Sequence, residues 1–163
     1  MARRTKRKRL SDLPRIVIDT REQLPYEFDF FESRTVLTTR AALHTGDYSL
    51  EGYEDRVCVE RKTKMDLYGS LGKGRKRFKR EFERLEQFEY SALVIEAGMT
   101  DLTVQPDYSK MNPSSVINSL VAWSQEYDIP IWLCDCRYYG ELITLRILEK
   151  FWMYDDDDIN EEN

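Results

Sequence analysis

Histidine is nearly absent from this chain: His44 stands alone among 163 residues. Cysteine is scarce too, with Cys58, Cys134 and Cys136. One imidazole and three scattered thiols exclude a zinc site of the usual tetrahedral kind. An odd cysteine count without framework spacing excludes a disulfide scaffold and points to reduced thiols in a cytosol-like compartment. Cys134-Asp135-Cys136 reads as two thiols on one face of a strand. No apolar run approaches the roughly 18 residues of a membrane span, and no segment has the layout of a signal peptide. A membrane partner is therefore not expected. A chain of this length forms one domain and buries about 70% of its unfolded surface, so it needs neither cross-links nor a structural metal to fold.

Net positive charge is also missing. The balance is −5, yet its distribution is uneven. Six of the seven residues from Arg3 to Arg9 are basic, and six of the eight from Asp155 to Glu162 are acidic. These read as a disordered basic arm over 1–13 and a disordered acidic tail over 155–163, leaving a folded unit over 14–154. Inside that unit, six of the eight residues from Lys73 to Arg80 are Lys or Arg. Lys73, Arg75, Lys76, Arg77, Lys79 and Arg80 are candidates to meet phosphates, the alternative being a solvated helix face.

Hydrophobic periodicity sets out the elements. Arg15–Asp19 is a short β-branched run that reads as a buried strand, and Val36–Thr39 is a weaker one. Two extended runs, Asp47–Leu50 and Arg56–Arg61, flank a polar link and form a hairpin. Thr63-Lys64-Met65-Asp66 is a capping signature, so a helix starts at Thr63 and breaks at Gly72-Lys73-Gly74. Phe78, Phe82, Leu85 and Phe88 lie on one face of a second helix. Ala92–Glu96 is a buried strand. Asn112-Pro113 opens a helix with Val116, Ile117, Leu120, Val121 and Trp123 as its apolar positions. Pro130 ends it before the strand Ile131–Leu133, and Tyr138–Trp152 is a final apolar helix. The order implies an α/β fold: a central sheet with helices on both faces.

The middle of the chain carries the chemistry. On a strand, Glu60 and Lys62 share a face and Arg61 takes the other. Asp47 opens the partner strand and can lie near Glu60, with Gly46 permitting the turn before it. Asp19 ends the first strand, where a carboxylate can join the cluster, and Glu22 follows one turn later. Asp66 sits one helical turn beyond Thr63. Carboxylates with an adjacent cation suit phosphodiester hydrolysis: Mg²⁺ favours one or two carboxylates plus water, and a lysine positions the nucleophile or steadies developing charge. Each residue also has an ordinary structural reading. Glu60 and Lys62 can be a surface pair, Asp47 a turn residue, Asp66 a cap partner, and Arg61 a partner for Asp66 or Glu22.

Taken in order, Ile18-Asp19-Thr20-Arg21-Glu22, Gly46-Asp47-Tyr48, Val59-Glu60-Arg61-Lys62-Thr63, Asp66-Leu67 and Gly69-Ser70-Leu71 resemble the nuclease domain of the XPF family of structure-specific endonucleases. The family pattern is G-D, a gap, then E-R-K-x-x-x-D. The likeness continues through Gly74-Arg75 and Leu93-Val94-Ile95-Glu96, and spans residues 15 to 150. It implies a restriction-endonuclease-like core with a mixed β-sheet, dependence on Mg²⁺ with Mn²⁺ able to substitute, and cleavage of branched DNA. It implies Asp47 and Glu60 as metal ligands, extended by Asp19 and Glu22, with Lys62 positioning water and Arg61 and Asp66 required in part structurally. Family members usually carry a tandem helix-hairpin-helix domain for DNA grip and dimerisation. Its absence suggests a stand-alone form of phage or bacterial type. The family also associates through the nuclease domain, so a homodimer is a further expectation.

Gly69 to Gly74 has the glycine spacing of a phosphate-binding loop, but Arg75-Lys76 follows where Lys-Ser/Thr is required, and a helix precedes it. No nucleotide cofactor is expected. A catalytically silent DNA-binding or scaffold subunit is the rival from another class, although such members lose the acidic and E-R-K residues that are intact here. A nuclease without branch preference is the third reading.

Overall fold

A computed structural model describes residues 8–30 and 33–155. The arm before Lys8 and the acidic residues after Asp155 lie outside the described residues. Six strands form one sheet: β1 (Ile16–Asp19), β2 (Thr38–Ala41), β3 (Tyr48–Leu50), β4 (Val57–Thr63), β5 (Tyr90–Glu96) and β6 (Ile131–Leu133). Their spatial order is β2-β1-β3-β4-β5-β6. β3 runs antiparallel to both β1 and β4, and the other neighbours are parallel. The hairpin expected from the polar link thus sits at the centre of a mixed sheet. The weak strand lies two residues later than its hydrophobicity suggested, because Thr38 rather than Val36 pairs with Ile16.

The helices are α1 (Lys64–Leu71), α2 (Arg75–Leu85), α3 (Met99–Leu102), α4 (Pro113–Glu126) and α5 (Arg137–Tyr154). Thr63 caps α1 by accepting the Asp66 N–H, and Asn112 caps α4 by accepting the Ser114 N–H. α2 ends at Leu85, so Phe88 packs from beyond it. The one-turn α3 had no periodic signal.

Two cores sandwich the sheet. On one face Cys58, Leu93 and Ile95 pack with Leu67, Phe78, Phe82 and Trp123 of α1, α2 and α4. On the other, Val57, Val59 and Val94 pack with Tyr26, Tyr48, Leu145 and Trp152. β5 is apolar on both sides because both are covered. Phe82 is fully buried with Phe78, Trp123 and Tyr127 around its ring, a setting in which truncation to Ala costs about 3–5 kcal/mol.

Three local details go beyond the sequence reading. Val121, one of the apolar positions of α4, is 53% exposed and lines a surface groove with Ile131 and Leu133 of β6. Cys134 and Cys136 do not share a strand face: β6 stops at Leu133, Asp135 takes φ +53°, and the buried Cys134 is turned away from the exposed Cys136. Ordered contacts are seen next to both charge runs. Asp155 is fixed to Arg56 at 2.8 Å and Lys8 at 3.3 Å, and residues 10–12 form a helical turn.

Candidate active site

A cavity of about 700 Å³ opens beside the hairpin, lined by residues of β1, β4, α1 and α2. The alternation along β4 governs it. Cys58, Glu60 and Lys62 point toward α1 and α2, while Val57, Val59 and Arg61 point toward α5. Asp47 reaches the same face as Glu60, because its N–H donates to the Val59 carbonyl at 2.9 Å and its carbonyl accepts the Asp19 N–H at 2.9 Å. Gly46 makes this approach feasible. It adopts φ +79°, and a Cβ there would sit 3.1 Å from the Cys58 side chain and 3.3 Å from the Val59 carbonyl.

Half-buried Asp47 and buried Glu60 form a mutually repelling pair. Asp47 Oδ2 accepts the Arg61 N–H at 2.8 Å, and Glu60 Oε1 accepts from Lys62 Nζ at 2.8 Å. Burial, and then the neighbouring Glu60 charge, push the Asp47 carboxyl up to about 8. Burial raises Glu60 as well, against the pull of Lys62. Burial alone would lower Lys62, but the Glu60 and Glu81 carboxylates hold its ammonium above the ordinary lysine value. Among the described residues nothing hydrogen-bonds Asp47 Oδ1 or Glu60 Oε2. Two hard oxygens left without donors, on two carboxylates too close to ionise freely, are a donor set that a divalent cation fits.

Asp19 differs from these two in its hydrogen bonding. Its Oδ1 accepts the Leu43 N–H at 2.8 Å, and its Oδ2 accepts the Arg21 N–H at 3.2 Å and Arg21 Nε at 2.7 Å. Burial would raise its pKa, but these donors outweigh it and hold it below the usual carboxylate range. With both oxygens engaged, Asp19 anchors the loop that leads into Gly46-Asp47. No group of three His, Cys, Asp or Glu side chains among the described residues is placed to hold a metal ion. Of the expected Asp19, Asp47 and Glu60, free oxygens stand on Asp47 and Glu60, while both Asp19 oxygens already accept hydrogen bonds.

The remaining expected residues divide by role. Glu22 lines the cavity and pairs with Arg61 at 3.3 Å. Arg61 also forks onto Glu96 at 2.7 and 3.2 Å, donates to the Leu24 carbonyl at 2.8 Å, and lies 4.7 Å from the Tyr26 ring centre. It does not reach Asp66, whose carboxylate accepts from the Thr63 hydroxyl at 2.7 Å at the cavity rim. Sequence reasoning missed Glu96 as the partner of Arg61 and Glu81, 3.6 Å from Lys62. It also missed Arg84, which lines the cavity with Arg77 and Glu81. The signal was present, since residues 77, 81 and 84 recur at helical spacing on one face of α2. The basic cluster is thereby split. Arg77 faces the cavity, whereas Arg75 donates to Ser119 and Lys79 pairs with Glu126, both on α4.

The fold is similar to that of XPF from Aeropyrum pernix, with a TM-score of 0.67 and 23% identity over 85% of this chain and 61% of that one. The same protein in complex with DNA gives a TM-score of 0.66 and 22% identity over 85% of this chain and 65% of that one. At such identities the likeness is one of fold, and it is the expected restriction-endonuclease-like α/β arrangement. The chain spans less than two thirds of either structure's length. No match was found among curated proteins. A family model described as the ERCC4 domain matches residues 18–140.

Proposed function

The chain belongs to the ERCC4 domain family, and on that premise we propose that it is a divalent-metal-dependent endonuclease that hydrolyses DNA phosphodiester bonds in branched substrates. The observation that carries this reading is the convergence of Asp47, Glu60 and Lys62 on one face of the sheet, with a free oxygen on each carboxylate. Asp47 and Glu60 would hold Mg²⁺ or Mn²⁺, which supplies a Lewis acid for the phosphate and acidifies a bound water. Lys62 is held by Glu60 on one side and Glu81 on the other, so its ammonium stays charged and aimed into the cavity. That charge orients water and offsets negative charge gathering on the phosphate. Asp19 and Glu22 act through neighbours: Asp19 fixes the loop before Asp47, and Glu22 helps to hold Arg61. The DNA-bound relative supports DNA as the partner.

Labelled fork, flap, four-way and linear duplex substrates, with Mg²⁺, Mn²⁺ or chelator, test the proposal. Metal-dependent nicking confined to the branched substrates is expected. Folded protein that cuts none of them overturns the enzyme reading, and equal cutting of linear duplex overturns only the branch preference. A homodimer belongs to the same proposal. The edge strand β6 exposes Trp132 at 42%, with apolar grooves on both sides of it. Light scattering at the monomer mass overturns it.

A further inference from the structure

On its cavity side, helix α2 carries two guanidinium groups that the fold does not use. Arg77 and Arg84 line the cavity that holds Asp47, Glu60 and Lys62. Among the described residues neither side chain makes a hydrogen bond or ion pair, although carboxylates line the same walls. Their neighbours on the helix differ. Arg75 donates to Ser119 Oγ at 2.9 Å and lies 4.8 Å from the Trp123 ring centre, and Lys79 pairs with Glu126 at 3.3 Å. Those two brace α2 against α4, whereas Lys76 and Arg80, also without an ion pair among the described residues, lie outside the cavity lining, so Arg77 and Arg84 are the cations that α2 presents to the cavity.

Their spacing is suited to a strand of phosphates. Seven residues of α-helix make nearly two turns and advance about 10.5 Å, so both guanidiniums project from one face. Glu81 lies between them and contacts Lys62 at 3.6 Å. The backbone of Arg77 therefore lies about 6 Å before, and that of Arg84 about 4.5 Å after, the residue through which α2 meets the lysine. A guanidinium keeps its charge at any working pH, and its planar fork matches phosphate oxygens. We propose that Arg77 and Arg84 clamp the DNA backbone on either side of the phosphate that faces Asp47 and Glu60. This rests on the nuclease reading of that cavity, and it makes α2 a register device for the cut strand.

The test uses the full chain and fluorescent branched DNA. Binding is measured in chelator across a salt series, and cleavage is measured in Mg²⁺. Arg77→Gln and Arg84→Gln are each expected to lose about tenfold in affinity and to make the salt dependence shallower by about one ion. KM should rise more than kcat falls, and melting midpoints should hold. Arg77→Lys and Arg84→Lys should recover the salt slope but only part of the affinity. Arg15→Gln, at the opposite end of β1, is the control for a change of net charge. Wild type that cuts, with both Gln variants binding and cutting like it, overturns the clamp and leaves the nuclease. Wild type that binds with this dependence and never cuts overturns the nuclease and leaves the clamp. Wild type that neither binds nor cuts overturns both.

Discussion

Arg61 offers the sharpest test of how the E-R-K run divides its labour. Its side chain is 7% exposed and leaves the face of β4 that carries Glu60 and Lys62, turning to Glu96, Leu24 and Glu22. It donates a fork to Glu96, a bond to the Leu24 carbonyl and a longer contact to Glu22. Truncation in Arg61→Ala leaves Glu96, itself 8% exposed, with only the Tyr26 hydroxyl at 2.6 Å as a donor among the described residues. Removing one partner of a buried pair costs about 3–5 kcal/mol, because the remaining charge stays desolvated. The lower end applies here, since Arg137 still donates to the Leu24 carbonyl at 3.0 Å. Against a total stability of about 5–15 kcal/mol this is a large fraction. For a chain of this size, about 3 kcal/mol corresponds to a fall of about 6–12 °C in melting temperature. Urea unfolding followed by circular dichroism measures it. The double variant Arg61→Ala/Glu96→Ala should lose less than the sum of the single variants, because the stranded carboxylate is gone. Arg61→Lys keeps the charge and loses the fork, so it should fall between. Below their midpoints, folded Arg61 variants should still cut DNA. An Arg61→Ala protein within about 1 kcal/mol of wild type that has lost all cleavage refutes this division, and makes Arg61 a residue of the reaction itself.

Asp47→Ala and Glu60→Ala should abolish cutting while leaving DNA binding in chelator intact; normal cutting by either variant would displace the site. In the cation-free protein, the raised Asp47 and Glu60 values make the native state hold a proton that the unfolded chain releases near pH 4. That stability is complete below the unfolded value and is lost as pH rises toward about 8 for Asp47, at no more than about 1.4 kcal/mol per pH unit for one group. Bound Mg²⁺ needs both carboxylates ionised, so the Mg²⁺-induced rise in melting temperature should grow between pH about 6 and about 8. A rise independent of pH argues against this pair as the ligands, and Asp47→Asn should flatten the chelator profile. Gly46→Ala should destabilise the protein by about 1–3 kcal/mol, from the positive φ and the 3.1 Å contact with Cys58; a melting temperature equal to wild type would show that the loop relaxes freely.

Local rules made a large part of this molecule legible from its residues. Strand alternation alone assigned Glu60 and Lys62 to one face and Arg61 to the other. The Thr63-x-x-Asp66 cap fixed the start of α1, and the link between β3 and β4 predicted the hairpin that brings Asp47 beside Glu60. These signals are readable because their geometry is set within a few residues, by the pleat, the helical turn and the cap. Packing between distant segments decided the rest. It brought Glu96 to Arg61 across 35 positions, set Glu81 of α2 beside Lys62, and used both Asp19 oxygens to pin residues 21 and 43. It also sorted one run of positive charge into residues that brace α4 and residues that face the cavity. Such partners depend on how helices seat on the sheet, and no spacing along the chain encodes that seating by itself.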